Sequence, residues 1–165
     1  MIRVYSKIIL RTVALLIMLS PISGQAETTL FSTTGDWSVF KDKNLGECWA
    51  TSAPKKSENT RNGKQVSVTR GKIQLYIIYK TLERVSGTIS FAAGYPMAPN
   101  KKVLVTVGSK SLTLIVGGEW AWPVNKSADA AMRSAFQKGQ AVIITAQSER
   151  GTVTKDTFSL LGFAA

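Results

Sequence analysis

Residues 91–123 read FAAGYPMAPNKKVLVTVGSKSLTLIVGGEWAWP, and this stretch predicts the fold class. Apolar residues alternate with polar ones on both sides of a turn at Gly108, which is the pattern of two half-buried strands joined as a hairpin. The apolar positions are Val103, Val105, Val107, Leu112, Leu114 and Val116. The same period of two places Trp120 and Trp122 on one face of a further short strand, with the small Ala121 opposite.

Short strands recur along the rest of the chain, at 37–41, 48–52, 66–69, 73–79, 87–91, 141–146 and 152–163. Asn62-Gly63 predicts a hairpin turn, because a type I′ turn needs a positive φ at both central residues. One amphipathic helix is indicated between a Ser127 cap and a stop at Gly139. The chain is therefore predicted to be all-β: a single-domain antiparallel β-sandwich of about nine strands with one short amphipathic helix.

Residues 1–26 have the pattern of a cleaved secretory signal peptide. Three basic residues precede a short apolar run at 13–19, and a Gly-Gln-Ala26 site follows. An apolar run of this length is too short for a membrane span, which needs about 20 residues, so an uncleaved anchor is the weaker interpretation. We expect cleavage after Ala26, a β-sandwich domain at 27–165 that is periplasmic or secreted, and no stable membrane span in the mature chain.

The predicted mature chain is strongly basic. The signal carries three of the 21 lysines and arginines, so 18 remain against 10 acidic residues, a net charge of +8. Such a surplus favours anionic partners, for example an anionic glycan or lipopolysaccharide. Nucleic acid is not expected for an exported protein, and a well-solvated basic surface without a specific partner is the plainer alternative.

The chain offers little catalytic chemistry. It contains no histidine, which removes the commonest general base and the usual zinc ligand. Its one cysteine, Cys48, forms no CxxC pair and is expected to be a small buried residue. Glu119 and Asp156 are the only carboxylates considered as an acid pair, and Glu119 is more simply a turn residue. We therefore predict no enzyme activity, no catalytic residues, no metal site and no cofactor.

Two groups of residues are candidates for binding. The first is a basic hairpin at 55–72, whose charges are expected to project from one end of the molecule and whose alternative is a solvated loop. The second is aromatic, because exposed indole and phenol rings bind sugars and partner proteins; here the alternative is core packing, which we expect for at least one indole. The candidate residues are Lys55, Lys56, Arg61, Lys64, Tyr95, Trp120 and Trp122.

Several short motifs together resemble the invasion-associated locus B family of exported alphaproteobacterial proteins. They are GDWSVF at 35–40, ECWA at 47–50, SAPK at 52–55, GYP at 94–96, EWAWP at 119–123, RGT at 150–152 and TKDTFSLLGF at 154–163. The resemblance implies a β-sandwich of the periplasm or envelope with no catalytic residues, and a role in host-cell invasion for pathogenic members. Similar proteins carry a second cysteine near the C-terminus, which this chain lacks, so Cys48 has no partner within one chain.

The leading hypothesis is thus a non-enzymatic envelope protein that binds an envelope component or another protein. The alternative is a polyanion- or glycan-binding module that uses the basic hairpin at 55–72 and the Trp120/Trp122 pair.

Overall fold

The computed structural model describes residues 28–165, so the predicted signal peptide at 1–26 lies outside the described residues. The described chain forms twelve strands and one helix. In order they are β1 (Thr28–Thr34), β2 (Trp37–Asp42), β3 (Glu47–Ser52), β4 (Lys56–Arg61), β5 (Lys64–Gln65), β6 (Gln74–Lys80), β7 (Val85–Ala92), β8 (Val103–Val107), β9 (Lys110–Gly117), β10 (Trp120–Trp122), α1 (Lys126–Lys138), β11 (Ala141–Gln147) and β12 (Val153–Ser159). Within residues 28–165, no helix is long and apolar enough to cross a membrane.

All strand pairs are antiparallel, and the ladder runs β1-β2-β3-β6-β7-β10-β9-β8-β11-β12-β4-β5. We call β1, β2, β3, β6, β7 and β10 the first half-sheet, and β8, β11, β12, β4 and β5 the second half-sheet. Strand β9 lies between them and pairs with both β10 and β8. The two halves enclose the core, where Phe91 of β7 meets Phe158 of β12 edge to face with ring centroids 6.2 Å apart. The fold is therefore sandwich-like, as predicted.

The hairpin of residues 103–117 forms as the alternation predicts. Val105 pairs with Leu112 in the β8–β9 register. The alternate residues Val103, Val105 and Val107 are all buried, whereas Leu104 between them is exposed. The buried face of this hairpin stabilises the core, since each buried aliphatic side chain contributes roughly 1.5–3 kcal/mol to the free energy of folding.

The helix covers one side of the core and packs against β7 and β9. Its cap is Asn125 rather than the predicted Ser127: the Asn125 side chain accepts a hydrogen bond from the Ala128 N–H at 2.9 Å. Gly139 ends it as predicted. Met132, Ala135 and Phe136 enter the core, and Asp129 accepts the buried Ile89 N–H of β7 at 3.0 Å. The helix is thus tied to the sheet by packing and by a buried hydrogen bond.

The predicted count of about nine strands is too low. β1 and β4 come from polar segments that are absent from the list of predicted strands, although the hairpin predicted at 55–72 contains β4. Both strands lie at or next to a sheet edge and bury little. Hydrophobic alternation does not detect such strands, whose hydrogen bonds to the ladder hold them in place.

The predicted strand at 66–69 is wrong. The Asn62-Gly63 turn does form, with φ of +50° and +75°, but β5 ends after Gln65. The chain then crosses from the second half-sheet to the first. There the Gly71 N–H donates to the Gly94 carbonyl at 2.8 Å, and Arg70 donates to the Ala93 carbonyl. These contacts with the end of β7 replace a ladder.

Candidate functional site

Trp120 and Trp122 share the outer face of the first half-sheet. Between them, Ala121 points inward and is fully buried, while Trp120 remains 42% exposed and Trp122 37% exposed. The expectation that at least one indole packs in the core is therefore wrong. The reason is the strand period, which gives the inward position to the small residue and both indoles to the outside.

Each exposed indole is held by a neighbour on the same face. The Trp120 ring lies 5.5 Å from the Tyr76 ring, centroid to centroid. The Trp122 ring lies over Gly117, where a side chain would collide with it. Both indoles are thus positioned rather than freely mobile, which is what a stacking platform requires.

The same face continues across β6, β3 and β2. Phe40 and Trp49 face each other in the β2–β3 register and stack with centroids 5.8 Å apart and planes 16° apart. Burial raises the pKa of the Tyr76 hydroxyl. We call this surface the aromatic face; its residues are Phe40, Trp49, Tyr76, Trp120 and Trp122.

Tyr95 does not belong to the aromatic face. Its hydroxyl shares a hydrogen bond of 2.7 Å with the Thr154 hydroxyl of β12, and the Arg70 guanidinium lies 5.0 Å above its ring. Burial raises the pKa of Tyr95. The structure therefore separates Tyr95 from the tryptophan pair with which the sequence grouped it.

The predicted basic hairpin is divided between two places. Lys56 begins β4 and Arg61 ends it, so the two side chains start roughly 17 Å apart along the strand. The expectation that all these charges project from one end is therefore wrong. Lys64 stands beside Arg61 across the turn.

Several of the predicted charges are already paired. Lys55 forms an ion pair with Asp36, and hydrogen bonding from Lys55 lowers the pKa of that carboxyl. Lys56 lies 2.8 Å from Glu58 and lowers the pKa of Glu58 in the same way. Within residues 28–165, Arg61, Lys64 and Lys72 of this hairpin form no ion pair with a carboxylate.

Arg61 and Tyr95 meet in a cleft of about 360 Å³. Loops after β5, β7, β9 and β11 converge there with the end of β4. The Arg61 Nε and Nη2 atoms donate to the Thr152 hydroxyl at 3.1 and 2.7 Å, which fixes the guanidinium. The volume lies at the lower end of the range for small-molecule sites, about 300–1,000 Å³.

The charges around the cleft were not predicted as a group. Arg150 and Glu149, from the β11–β12 turn, line it together with Glu119 from the β9–β10 turn. The sequence shows only that these charged residues lie at hairpin tips. This pattern does not indicate which other loops the tips contact. The cleft is therefore a product of strand order.

The residues considered for catalysis do not assemble. Asp156 is fully buried in an ion pair with Arg70, 2.7 Å between the nearest atoms, whereas Glu119 is exposed at the cleft. Cys48 is half-buried on β3 rather than in the core. Within residues 28–165, no group of three or more acidic or cysteine side chains is placed to hold a metal ion.

Comparison with solved structures gives a relative in fold. The chain is similar to invasion associated protein B from Bartonella henselae, with a TM-score of 0.52 and 12% sequence identity, over 82% of this chain and 92% of that one. No protein-family model matches the sequence. No curated protein sequence matches it. At this identity the likeness is one of fold, and it agrees with the fold that the sequence motifs implied.

Proposed function

We propose that this protein is an exported, non-enzymatic binding module of the cell envelope, and that it binds an envelope component or another protein through the aromatic face. The observation that supports this most is the pair of fixed, partly exposed indoles, Trp120 and Trp122. The signal-like residues 1–26 support the location. The name of the structural neighbour associates that protein with invasion, and a shared fold does not extend that role to this chain.

The exposed indole surface is large enough to matter for binding. A tryptophan presents up to about 250 Å², so the exposed fractions correspond to roughly 100 Å² on each ring. Covering that area contributes about 2.5 kcal/mol per indole at about 25 cal/mol per Å². Two indoles give about 5 kcal/mol before the cost of association is subtracted.

Location is tested first, by fractionating expressing cells and measuring the mass of the purified protein. The expected result is a periplasmic or secreted chain that lacks residues 1–26. An intact chain in the cytoplasm would remove the basis of the proposal.

Binding is then tested by sedimentation with purified peptidoglycan sacculi and with outer-membrane fragments. The variant Trp120→Ala/Trp122→Ala should lower the bound fraction at least tenfold, since each lost indole contact is worth more than one factor of ten. The matched control is Leu104→Ala, a similarly exposed apolar residue on β8 of the other half-sheet. Equal binding by the double variant and the wild type would rule out the aromatic face.

A second candidate function is binding of an anionic glycan or lipopolysaccharide. Arg61, Lys64 and Arg150 support it, because within residues 28–165 none of the three forms an ion pair with a carboxylate. Lipopolysaccharide binding should weaken as salt is raised and should fall in Lys64→Glu. Lys56→Glu, whose lysine is already paired, is the control. Salt-independent binding, or equal loss in both variants, would contradict this candidate.

A further inference from the structure

The cleft of about 360 Å³ carries charges of both signs. Arg61 and Arg150 line it together with Glu119 and Glu149, and none of its lining residues belongs to the aromatic face. Within residues 28–165, none of these four charged side chains forms an ion pair. Opposite charges thus meet at one cavity without neutralising each other, and they are left for a ligand.

The charge of the cleft is balanced. Two unpaired arginines stand against two unpaired glutamates, and the third arginine of the lining, Arg70, is neutralised by the buried Asp156 carboxylate at 2.7 Å. A site with this balance does not favour an anion over a cation. It favours a ligand that has one group of each sign, because each group can then pair with an opposite charge.

Arg61 is prepared for the negative group of such a ligand. Its Nε and Nη2 atoms donate to the hydroxyl of Thr152, which is itself buried. These bonds fix the guanidinium and use only part of its donors. The remaining N–H groups can bind a carboxylate in the planar, charge-assisted geometry that arginine favours. Since the side chain is already held, it loses little further freedom on binding.

Backbone hydrogen bonds tie the loops of the cleft into one frame. The loop after β7 is held on one side by the Ala93 N–H, which donates to the Glu119 carbonyl at 3.0 Å. On the other side, the Pro96 carbonyl accepts the Glu149 N–H at 3.2 Å. This loop therefore lies between the β9–β10 turn and the β11–β12 turn. Because Arg61 binds the end of the β11–β12 turn, Arg61 and Glu119 are anchored on opposite sides of the loop.

We propose that the cleft binds a short peptide with free ends, whose C-terminal carboxylate pairs with Arg61 and whose N-terminal ammonium pairs with Glu119. Facing sheets lie roughly 10 Å apart and an extended residue spans about 3.5 Å, so a peptide of about three residues reaches from one charge to the other. The inference goes beyond the proposed function, which concerns the aromatic face. It also differs from the second candidate function, because Lys64 does not line the cleft and a polyanion would meet Glu119 and Glu149 there.

The experiment is an NMR titration of the purified, isotope-labelled protein with trialanine and with trialanine blocked at one end. Acetylating the amino end removes the ammonium, and amidating the carboxyl end removes the carboxylate. Each blocked peptide should bind about tenfold more weakly than the free peptide, since each loses a charge-assisted contact. Succinate, which has carboxylates at both ends and no ammonium, should bind more weakly than trialanine by roughly the same factor.

Two variants assign the ends of the peptide. Arg61→Gln should weaken trialanine binding about tenfold and leave the amidated peptide unchanged, because that peptide has no carboxylate to lose. Glu119→Gln should weaken trialanine binding by a similar factor and leave the acetylated peptide unchanged. The matched control is Lys64→Gln, which removes a charge beside Arg61 without altering the lining of the cleft. Its peptide affinity should equal that of the wild type, and thermal unfolding should confirm that every variant is folded.

Three results would overturn the proposal. The first is the absence of chemical-shift changes at the cleft when trialanine is added. The second is succinate binding as tight as that of trialanine, or an equal loss in Lys64→Gln, since the cleft would then respond to negative charge alone. The third is a loss in Arg61→Gln that is the same for the free and the amidated peptide, because the arginine would then support the cleft rather than bind the carboxylate.

Discussion

The buried ion pair between Arg70 and Asp156 is expected to be highly sensitive to mutation. Both side chains are buried, 5% and 0% exposed. Arg70 donates two hydrogen bonds to the Asp156 carboxylate, at 2.7 and 2.8 Å, and Ser57 adds a third at 2.6 Å. Arg70 also donates twice to the Ala93 carbonyl. The substitution Asp156→Leu would leave a buried guanidinium without its counter-charge.

The expected loss of stability is large. Removing one partner of a buried, hydrogen-bonded ion pair costs about 3–5 kcal/mol, out of a total of about 5–15 kcal/mol for an ordinary domain. With an unfolding entropy of about 2.1 cal/mol/K per residue, the 138 described residues give about 0.29 kcal/mol/K. The melting temperature should therefore fall by roughly 10–17 °C.

Thermal and urea unfolding followed by circular dichroism would measure this loss of stability in Asp156→Leu. The double variant Arg70→Met/Asp156→Leu serves as the comparison. An apolar pair of similar volume often restores stability because no charge remains buried. The double variant should thus be more stable than either single one, and Lys56→Ala, at an exposed pair, should unfold like wild type. A loss below about 1 kcal/mol in Asp156→Leu, or a double variant less stable than both singles, would refute the reasoning.

Three further predictions concern Gly94, Tyr95 and the Trp120/Trp122 pair. Gly94→Ala should destabilise by at least about 2 kcal/mol in urea unfolding, because φ is +72° and a side chain would meet the Gly71 carbonyl. Gly63→Ala, with φ of +75° and open space around it, should lose only about 1 kcal/mol; equal losses would contradict the steric argument. The Tyr95 pKa is raised above 10, so the stability that its neutral hydroxyl confers is complete below pH 10 and is lost as pH rises through the raised pKa. The free energy of unfolding of Tyr95→Phe should therefore fall less steeply than that of the wild type as the pH is raised above 10. A pH profile identical to the wild type would contradict this prediction. Acrylamide should quench the indole fluorescence of the native wild type more than that of Trp120→Phe/Trp122→Phe; identical quenching would place both indoles inside.

Sequence reasoning succeeded where structure follows a local pattern. The β8–β9 hairpin, the Asn62-Gly63 turn and the stop of the helix at Gly139 each depend on a few adjacent residues. It failed at β1 and β4, whose polar residues lie at or near sheet edges. It also failed at 66–69, where contacts with Gly94 and Ala93 draw an alternating segment away from the ladder. Local alternation competes there with hydrogen bonds to distant residues, and the distant bonds prevail.

The same distinction between local patterns and distant contacts applies to the candidate site. The period of two determined by itself that Trp120 and Trp122 share a face, since adjacent side chains of a strand must point to opposite sides. Which face is outward depended on the size of Ala121 and on the core that it meets. Only the tertiary structure joined Arg61 to Tyr95 in a cleft and paired Lys55 with Asp36. Those contacts link residues far apart in the chain, so they are fixed by the order of the strands, which no local pattern encodes.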